Sequence, residues 1–395
     1  MRGAVDGRRV AVTGVGVVSV CGTGAEAFWA GLAQEAAPAR VRPVPDWDPT
    51  PWFSRKDARH TDRFGQFAVA AADLAVADAA LDLTGVDPDR CGVQVGTGIG
   101  GMTTFEKAVR TLDARGEGRV SPYTASMIMP NAGAAGVSLR LGLRGPAEAI
   151  TTACAAGTHS VAAGARLVAT GVCDLVLAGG ADASLVGTTV AGFTNAGAMS
   201  HSGISRPFDR DRDGFAAAEG AAILVLEPLE VALARAARVY CVLAGAASTA
   251  DAFDMTAPSP GGRGALSCMR QALLDAGLAP ADVMHVNAHG TSTALNDAAE
   301  STAVAELLEG RRAPVTSIKG VTGHALGAAG ALEAAAVCLG YAYRTLPPTV
   351  GFVEPDETTR VVNVLTAPTS WEPGVVLSNS FGFGGHNGTL VFEPV

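Results

Sequence analysis

Charge is scarce in this chain. Asp, Glu, Lys and Arg make up 17 % of its 395 residues, against 48 % apolar ones. So little charge on so long a chain excludes a highly solvated, disordered polypeptide. It leaves a large buried interior and enough length for two domains, or one large two-part domain. The charge that is present sums to −9. That argues against nucleic acid as a main partner, because phosphate contacts need concentrated Lys and Arg.

Other absences narrow the reading. The seven cysteines (Cys21, Cys91, Cys154, Cys173, Cys241, Cys268 and Cys338) are odd in number, widely spaced and without a C-x-x-C pair. Neither a disulfide framework nor a metal site is predicted, and a reducing, cytoplasmic setting fits. No membrane span is predicted: the uncharged stretch 183–205 is broken by Gly, Thr, Ser and Asn. The opening "RRVAVTGVGVVSVCG" has a basic start and an apolar run, like a secretory leader. Thr13, Gly14 and Gly16 interrupt it and no small-residue cleavage site follows, so it reads as a buried strand and a turn. "GTGIGG" (96–101) lacks the lysine of a phosphate loop and the spacing of a dinucleotide fingerprint, and reads as a turn. No two carboxylates offer themselves as a general acid and base.

What is present is an alternation of Val/Leu-rich strands and Ala-rich helices. Strands are predicted at 8–19, 91–96, 173–182 and 220–228, with helices over 62–81 and 154–170. The pattern then restarts, with strands at 238–248, 283–291, 313–320, 375–385 and 387–395 and helices over 264–278 and 328–343. Near-continuous apolar strands between helices imply sheets covered on both faces. The ends of the two series are alike, "AAILVLEP" (221–228) and "GTLVFEPV" (388–395). Two duplicated α/β halves follow, 1–235 and 236–395. The helices beginning near Cys154 and Gly327 are rich in small residues and are the candidates for a buried central layer.

Four groups sit at junctions where chemistry is plausible. In "ITTACAAGTHS" (150–160), Cys154 lies between a β-branched run and a helix start. It is either a small core residue or a nucleophile on a strand-to-helix turn. A helix N-terminus favours a thiolate and pulls its pKa below the free value. "VNAHGTSTALNDAAE" (286–300) places His289 just past a strand, and "IKGVTGHALGAAGALEA" (318–334) places His324 five residues after Lys319. A lysine in so apolar a stretch has to be paired or functional, since an unpaired buried ammonium is costly. In "LSNSFGFGGHNG" (377–388), Phe381 and Phe383 alternate with glycines, as in a mobile flap or a tight hairpin. A nucleophile that holds an acyl group, with two imidazoles and a lysine to stabilise enolate charge, makes one coherent set. Separately, "SRKDARHTDR" (54–63) gathers basic residues, either as a solvated helix face or as a docking patch for an acidic partner.

Nearly the whole chain resembles the elongating (type II) β-ketoacyl-acyl carrier protein synthases of the thiolase superfamily. The matching motifs are "TACAAGTHS", "SRPFDRDRDGFAAAEGAAILVLE" (205–227), "VNAHGTSTALND", "KGVTGHALGAAGALEA" and "NSFGFGGHNG". The resemblance implies a thiolase fold in five αβαβα layers. It implies a decarboxylative Claisen condensation of malonyl-acyl carrier protein with an acyl chain held on Cys154, in fatty-acid or type II polyketide elongation. His289 and His324 would bind the malonyl thioester carbonyl, and Lys319 would position His324. Glu300 and Asp297 would be supporting carboxylates near that lysine. The N–H groups of Cys154 and Phe383 would form the oxyanion hole, with Phe383 as gate. Phe105 would line the bottom of the acyl pocket, and Lys56, Arg59 and His60 would dock the carrier protein. No cofactor is implied beyond the carrier's phosphopantetheine arm. A homodimer is implied, or a heterodimer in which a Cys-less chain-length-factor relative completes the active chain.

The chain departs from that family in three places. The segment between Leu32 and Ser54 is short, His386 stands where a threonine is commoner, and Phe105 is bulky. A thiolase is the other reading of the fold. It is opposed by Phe383, where a second cysteine would be needed.

Overall fold

The computed structural model describes residues 7–361 and 363–395. Its central strands fall into two sets of five. The first comprises β1 (Val10–Ser19), β2 (Cys91–Gly96), β3 (Ala147–Glu148), β4 (Leu175–Asp182) and β5 (Gly220–Pro228), lying in the order β1-β5-β4-β2-β3. The second comprises β6 (Cys241–Ala250), β7 (Val283–Asn287), β8 (Val315–Thr316), β9 (Val375–Gly382) and β10 (His386–Glu393), in the order β6-β10-β9-β7-β8. Strand directions repeat as well. In each set the first three strands of that order are antiparallel and the outer two pairings are parallel. The sets meet where Val10–Val12 pairs antiparallel with Cys241–Leu243, so the strands run as one continuous sheet.

Five of the long helices cover the sheets, α1 (Arg63–Asp78), α3 (Ala156–Ala169), α4 (Arg263–Ala276), α5 (Ala294–Leu308) and α6 (Ala329–Tyr343), while α2 (Met102–Arg115) has no buried residue. On β4, alternate residues face opposite layers, as the two-residue period of a strand requires. Leu175 and Leu177 pack outward with Phe64, Phe67 and Ala71 of α1, while Val176 and Ala178 pack inward with Val161 and Ala165 of α3. The second set is covered outside by Leu273 of α4 and Leu307 of α5, which share a core with Leu377 and Val391. Helices α3 and α6 lie between the sets and contribute to one core with Leu224, Leu243 and Val376. The result is helix, sheet, helix pair, sheet, helix: the five layers of a thiolase fold.

The central helices meet at glycines. A Cβ on Gly157 would lie 2.8 Å from the Ala331 nitrogen, and one on Gly330 would lie 2.1 Å from Thr158 Oγ1. Any side chain at either place would separate the helices. The segment Leu326–Tyr343 is apolar enough to cross a membrane but is almost wholly buried as this central layer. All seven cysteines are free thiols.

Candidate active site

Cys154 is the middle residue of a tight turn, Ala153–Ala155, that leads directly into α3. Ala153 takes φ +49°. A residue with a Cβ adopts this left-handed region at a cost of about 1–3 kcal/mol, a strain found mostly at functional turns. The turn delivers the thiol to the inner end of a cavity of about 190 Å³, whose walls include Phe193, Phe215, His289, His324 and Phe383.

The direction of the thiol pKa corrects the sequence expectation. The helix start was expected to favour the thiolate. Instead burial pushes the Cys154 thiol up to about 12. The Lys319 charge and a hydrogen bond from the Phe383 N–H pull it back, while Asp182 and Glu333 add to the rise. The sulfur faces the cavity yet is enclosed by protein. Loss of water is the largest cause, and it favours the thiol over the thiolate.

Two imidazoles close on that thiol. The ligand-type atoms of Cys154, His289 and His324 lie within 4.8 Å of one another, and the two rings stand edge to face with centroids 5.4 Å apart. His289 follows β7, where its backbone N–H and that of Gly290 donate to the Glu300 carboxylate at 2.8 and 2.7 Å. Lys319 Nζ donates to His289 Nδ1 at 3.2 Å and to the His289 carbonyl at 2.5 Å. His324 Nδ1 accepts the Leu326 N–H at 3.2 Å. In both rings Nδ1 is therefore the acceptor, and the proton of the neutral imidazole sits on Nε2. Burial, then the Lys319 charge, holds both imidazoles well below the ordinary histidine value, so they are neutral. The pair presents two uncharged N–H donors beside a thiol. That arrangement suits a developing oxyanion. It suits a metal ion poorly, because a metal would need the Nε2 lone pairs and a proton on each Nδ1, where Lys319 and the Leu326 N–H already donate.

The structure reassigns the supporting groups. Lys319 is hydrogen-bonded to His289 rather than to His324, which it influences only by its charge. Its carboxylate partner is Glu333 of α6, not Glu300 or Asp297. Glu300 fixes the backbone turn under His289. Asp297 accepts the N–H groups of Phe208 and Ser292 at 2.8 and 3.0 Å and so braces the neighbouring loop. Glu333 also faces Ser380 Oγ at 3.4 Å, which in turn meets Thr158 Oγ1 of α3 at 2.7 Å. Sequence reasoning missed Glu333, although it lies inside "GALEA". A lone carboxylate on an otherwise apolar, fully buried helix was the available signal.

Family models for the N-terminal and C-terminal domains of β-ketoacyl synthase match residues 39–232 and 240–353. The chain belongs to the β-ketoacyl synthases. A relative named 3-oxoacyl-[acyl-carrier-protein] synthase 2 from Synechocystis is 39 % identical, covering 98 % of this chain and 99 % of its own. One of the same name from Staphylococcus aureus is 38 % identical, with 98 % of each covered. Among solved structures, the ishigamide ketosynthase/chain length factor superposes with a TM-score of 0.92 at 34 % identity, covering 98 % of this chain and 100 % of that one. A β-ketoacyl synthase from Burkholderia phymatum gives 0.89 at 33 % identity, with the same coverage. A type II polyketide synthase acyl-carrier protein in complex with its ketosynthase gives 0.88 at 30 % identity, covering 99 % and 100 %.

The remaining residues singled out in this synthase fall outside the thiol cavity or at its rim. Phe383 lines the cavity, with its ring 6.1 Å from that of Phe193. Phe105 does not reach the cavity. It lies on α2, a helix with no buried residue, and its side chain is 47 % exposed. Its place in the acyl pocket is therefore not seen in the single chain, where it is not among the residues that line the thiol cavity. Lys56 and Arg59 are exposed on the short helix Arg55–Arg59, which Ser54 caps by accepting the Asp57 N–H at 3.1 Å. His60 stacks on Tyr123 with ring centroids 3.9 Å apart. Arg59, Lys107 and Arg119 line an open groove beside that stack.

Proposed function

We propose that Cys154 takes an acyl chain from the phosphopantetheine arm of an acyl carrier protein, and that a malonyl-carrier enolate then attacks that acyl group. In the first step the thiol sulfur adds to the acyl thioester carbonyl. The N–H groups of Cys154 and Phe383 hold the oxyanion, and the carrier thiol leaves with the proton that Cys154 gave up. Because the resting sulfur is a protonated thiol, its charge develops only with substrate in place, where Lys319 and the Phe383 N–H favour it. In the second step the malonyl thioester oxygen accepts hydrogen bonds from Nε2 of His289 and His324. Carbon dioxide leaves, the electron pair of the broken bond forms the enolate, and that enolate makes the new carbon–carbon bond. Cys154 departs as a thiolate and is reprotonated. This is two-step, ping-pong chemistry that needs no group beyond the carrier's arm.

One observation carries the reading: two neutral imidazole donors and a thiol converge within 4.8 Å at the end of one cavity. The test is to incubate the purified chain with acyl-carrier protein alone and then with malonyl-carrier protein. An acyl adduct on Cys154 by intact mass, followed by β-ketoacyl-carrier product and carbon dioxide, is expected. Absence of the adduct overturns the reading.

Lys56, Arg59 and His60, beside the Arg59–Lys107–Arg119 groove, form the docking face we assign to the acidic carrier. The division into a nucleophile-bearing half, 1–235, and an imidazole-bearing half, 236–395, is supported by the repeated strand order. We place the enzyme in the cytoplasm, in keeping with its seven free thiols. A second reading has the chain active only beside a Cys-less relative. Similarity to the ishigamide ketosynthase/chain length factor is what raises it, while the exposed apolar Phe105, Val109 and Leu112 of α2 fit a partner of either kind. Co-purification separates the two: a homodimer that condenses by itself excludes the second.

A further inference from the structure

Among the described residues, Arg42 is a buried cation that no carboxylate pairs with, its ionisable neighbour being the Cys21 thiol, which burial pushes up to about 12. Arg42 is 4 % exposed, and it lies in the shortened segment between Leu32 and Ser54, far from every active-site motif in sequence. One terminal nitrogen donates to the carbonyls of Gly320 and Val321 at 2.9 and 2.8 Å. Its Nε and its other terminal nitrogen have no hydrogen-bond partner, and no carboxylate among the described residues pairs with it. A buried charge left this way is costly, and a well-packed apolar residue is commonly at least as stable in its place. Fold stability alone does not account for it.

Its contacts converge on the segment that carries the imidazole machinery. Gly320 and Val321 belong to the turn Lys319–Thr322, which starts at the lysine holding His289. The backbone of Val41–Arg42 pairs with Ala217–Ala218, and Ala217 in turn bridges His324. The His324 N–H donates to the Ala216 carbonyl at 2.8 Å, and the Ala218 N–H donates to the His324 carbonyl at 2.9 Å. Between the two ends lies Gly323, with φ +66°, where an added Cβ would stand 2.8 Å from the Ala216 oxygen and 3.3 Å from Arg42 Cδ. The segment is gripped by the Arg42 side chain at one end and, through the Ala217–Ala218 strand, by its backbone at the other.

We propose that Arg42 is a positioning residue for the decarboxylating half of the reaction: it fixes the path from Lys319 to His324, and so the aim of both Nε2–H donors. The proposal rests on the function assigned above. The Cys154 turn receives no contact from Arg42, so acyl transfer is spared. This splits the two half-reactions, which a merely structural role would not do.

The test uses the full chain with R42M and R42K. Two rates are read: formation of the acyl adduct on Cys154 and release of carbon dioxide from malonyl-carrier protein. R42M is expected to lower decarboxylation by about 10- to 100-fold, as for a donor misplaced by about an ångström, with acylation within about threefold. R42K keeps a cationic donor but lacks the guanidinium's reach, and is expected to lie between R42M and the parent enzyme. If R42M does not fold, R42K decides by the same two rates. A parallel loss of both rates, or no loss of decarboxylation, overturns the proposal. If the parent enzyme itself forms no adduct and releases no carbon dioxide, the functional assignment fails and not the role of Arg42.

Discussion

Cys154 and Gly327 hold the same place in the two halves of the fold. Each is the middle of a three-residue turn, each follows a residue of positive φ (Ala153, +49°; Leu326, +46°), and each turn leads into a central helix. What differs is the space around them. Cys154 faces a cavity. A Cβ on Gly327 would lie 2.1 Å from the Gly98 nitrogen and 2.5 Å from the Thr97 carbonyl carbon. The Gly327 N–H is also already directed to Asp182 at 3.3 Å. The second turn keeps the strain and has no room for a nucleophile. Gly327→Ala is expected to destabilise the protein by about 3 kcal/mol or more, because the clash is with backbone. A urea-unfolding midpoint close to that of the parent would contradict this.

Among the cysteines, Cys154 alone lines the cavity. Cys154→Ser is expected to abolish a stable acyl adduct. Cys338, 3.8 Å from Cys241 in the central core, is expected to be replaceable by alanine with acylation intact and a loss of about 1–2 kcal/mol of stability. Intact mass after exposure to acyl-carrier protein checks both.

Glu333 is the counter-ion of a lysine that is wholly buried. Glu333→Gln keeps the shape and removes the charge. Decarboxylation is expected to fall at least about tenfold while acylation of Cys154 persists, since the Lys319–His289 contact loses its anchor. Glu333→Ala also leaves the ammonium unpaired and is expected to cost about 3–5 kcal/mol. Thermal unfolding beside the two rates separates these effects.

The acid stability of the protein follows from opposed groups. Burial holds His285 at about 3, and His289 and His324 lie well below the ordinary value. Below about pH 6.5 the unfolded chain protonates these imidazoles and the folded one does not. Each then loses up to about 1.4 kcal/mol of stability per pH unit as the pH falls. Glu300 acts in the opposite sense: burial raises it to about 7, so from pH 7 down to about 4.5 the folded state binds the extra proton and stability rises. Burial raises Glu333 in the same direction despite Lys319. The unfolding midpoint is therefore expected to change little between pH 7 and 5 and to drop steeply below about 4.5. Decarboxylation is expected to show no acid limb near pH 6.5 from either imidazole. Histidine proton shifts followed by NMR from pH 8 to 6 check the point.

Lys56→Glu reverses the charge of an exposed residue on the proposed docking face. The KM for carrier-bound substrate is expected to rise by about tenfold at low salt with kcat little changed, and the difference is expected to shrink as ionic strength rises. An unchanged KM removes Lys56 from the docking face.

The repeat and most of its strands were legible because strands covered on both faces read as plain apolar runs. The imidazoles and the lysine were legible because each sits beside a glycine, and Cys154 because it lies between a β-branched run and a helix start. Helix α5 was not, since its buried face carries Asp297, Glu300 and Ser301 and breaks the apolar period. Nor was the state of the Cys154 thiol: a helix start is local and visible, whereas enclosure by distant residues is not. Lys319 was recognised as needing a partner, but which carboxylate it meets depends on how α6 packs. Nothing in "VRPVP" distinguishes Arg42 from a surface arginine.

The glycine crossing of α3 and α6 has a consequence during synthesis. Helix α3, which the nucleophile opens, leaves the ribosome well before α6 exists, and its Gly157 face waits for a backbone not yet made. The first half can fold its outer layer on α1 early, as domains tend to form in order of synthesis. The inner layer closes only when the last third of the chain arrives. Cys154 is thus among the last parts of the first half to reach its final surroundings, and the growing chain carries its reactive residue in an unfinished interior for nearly half of translation.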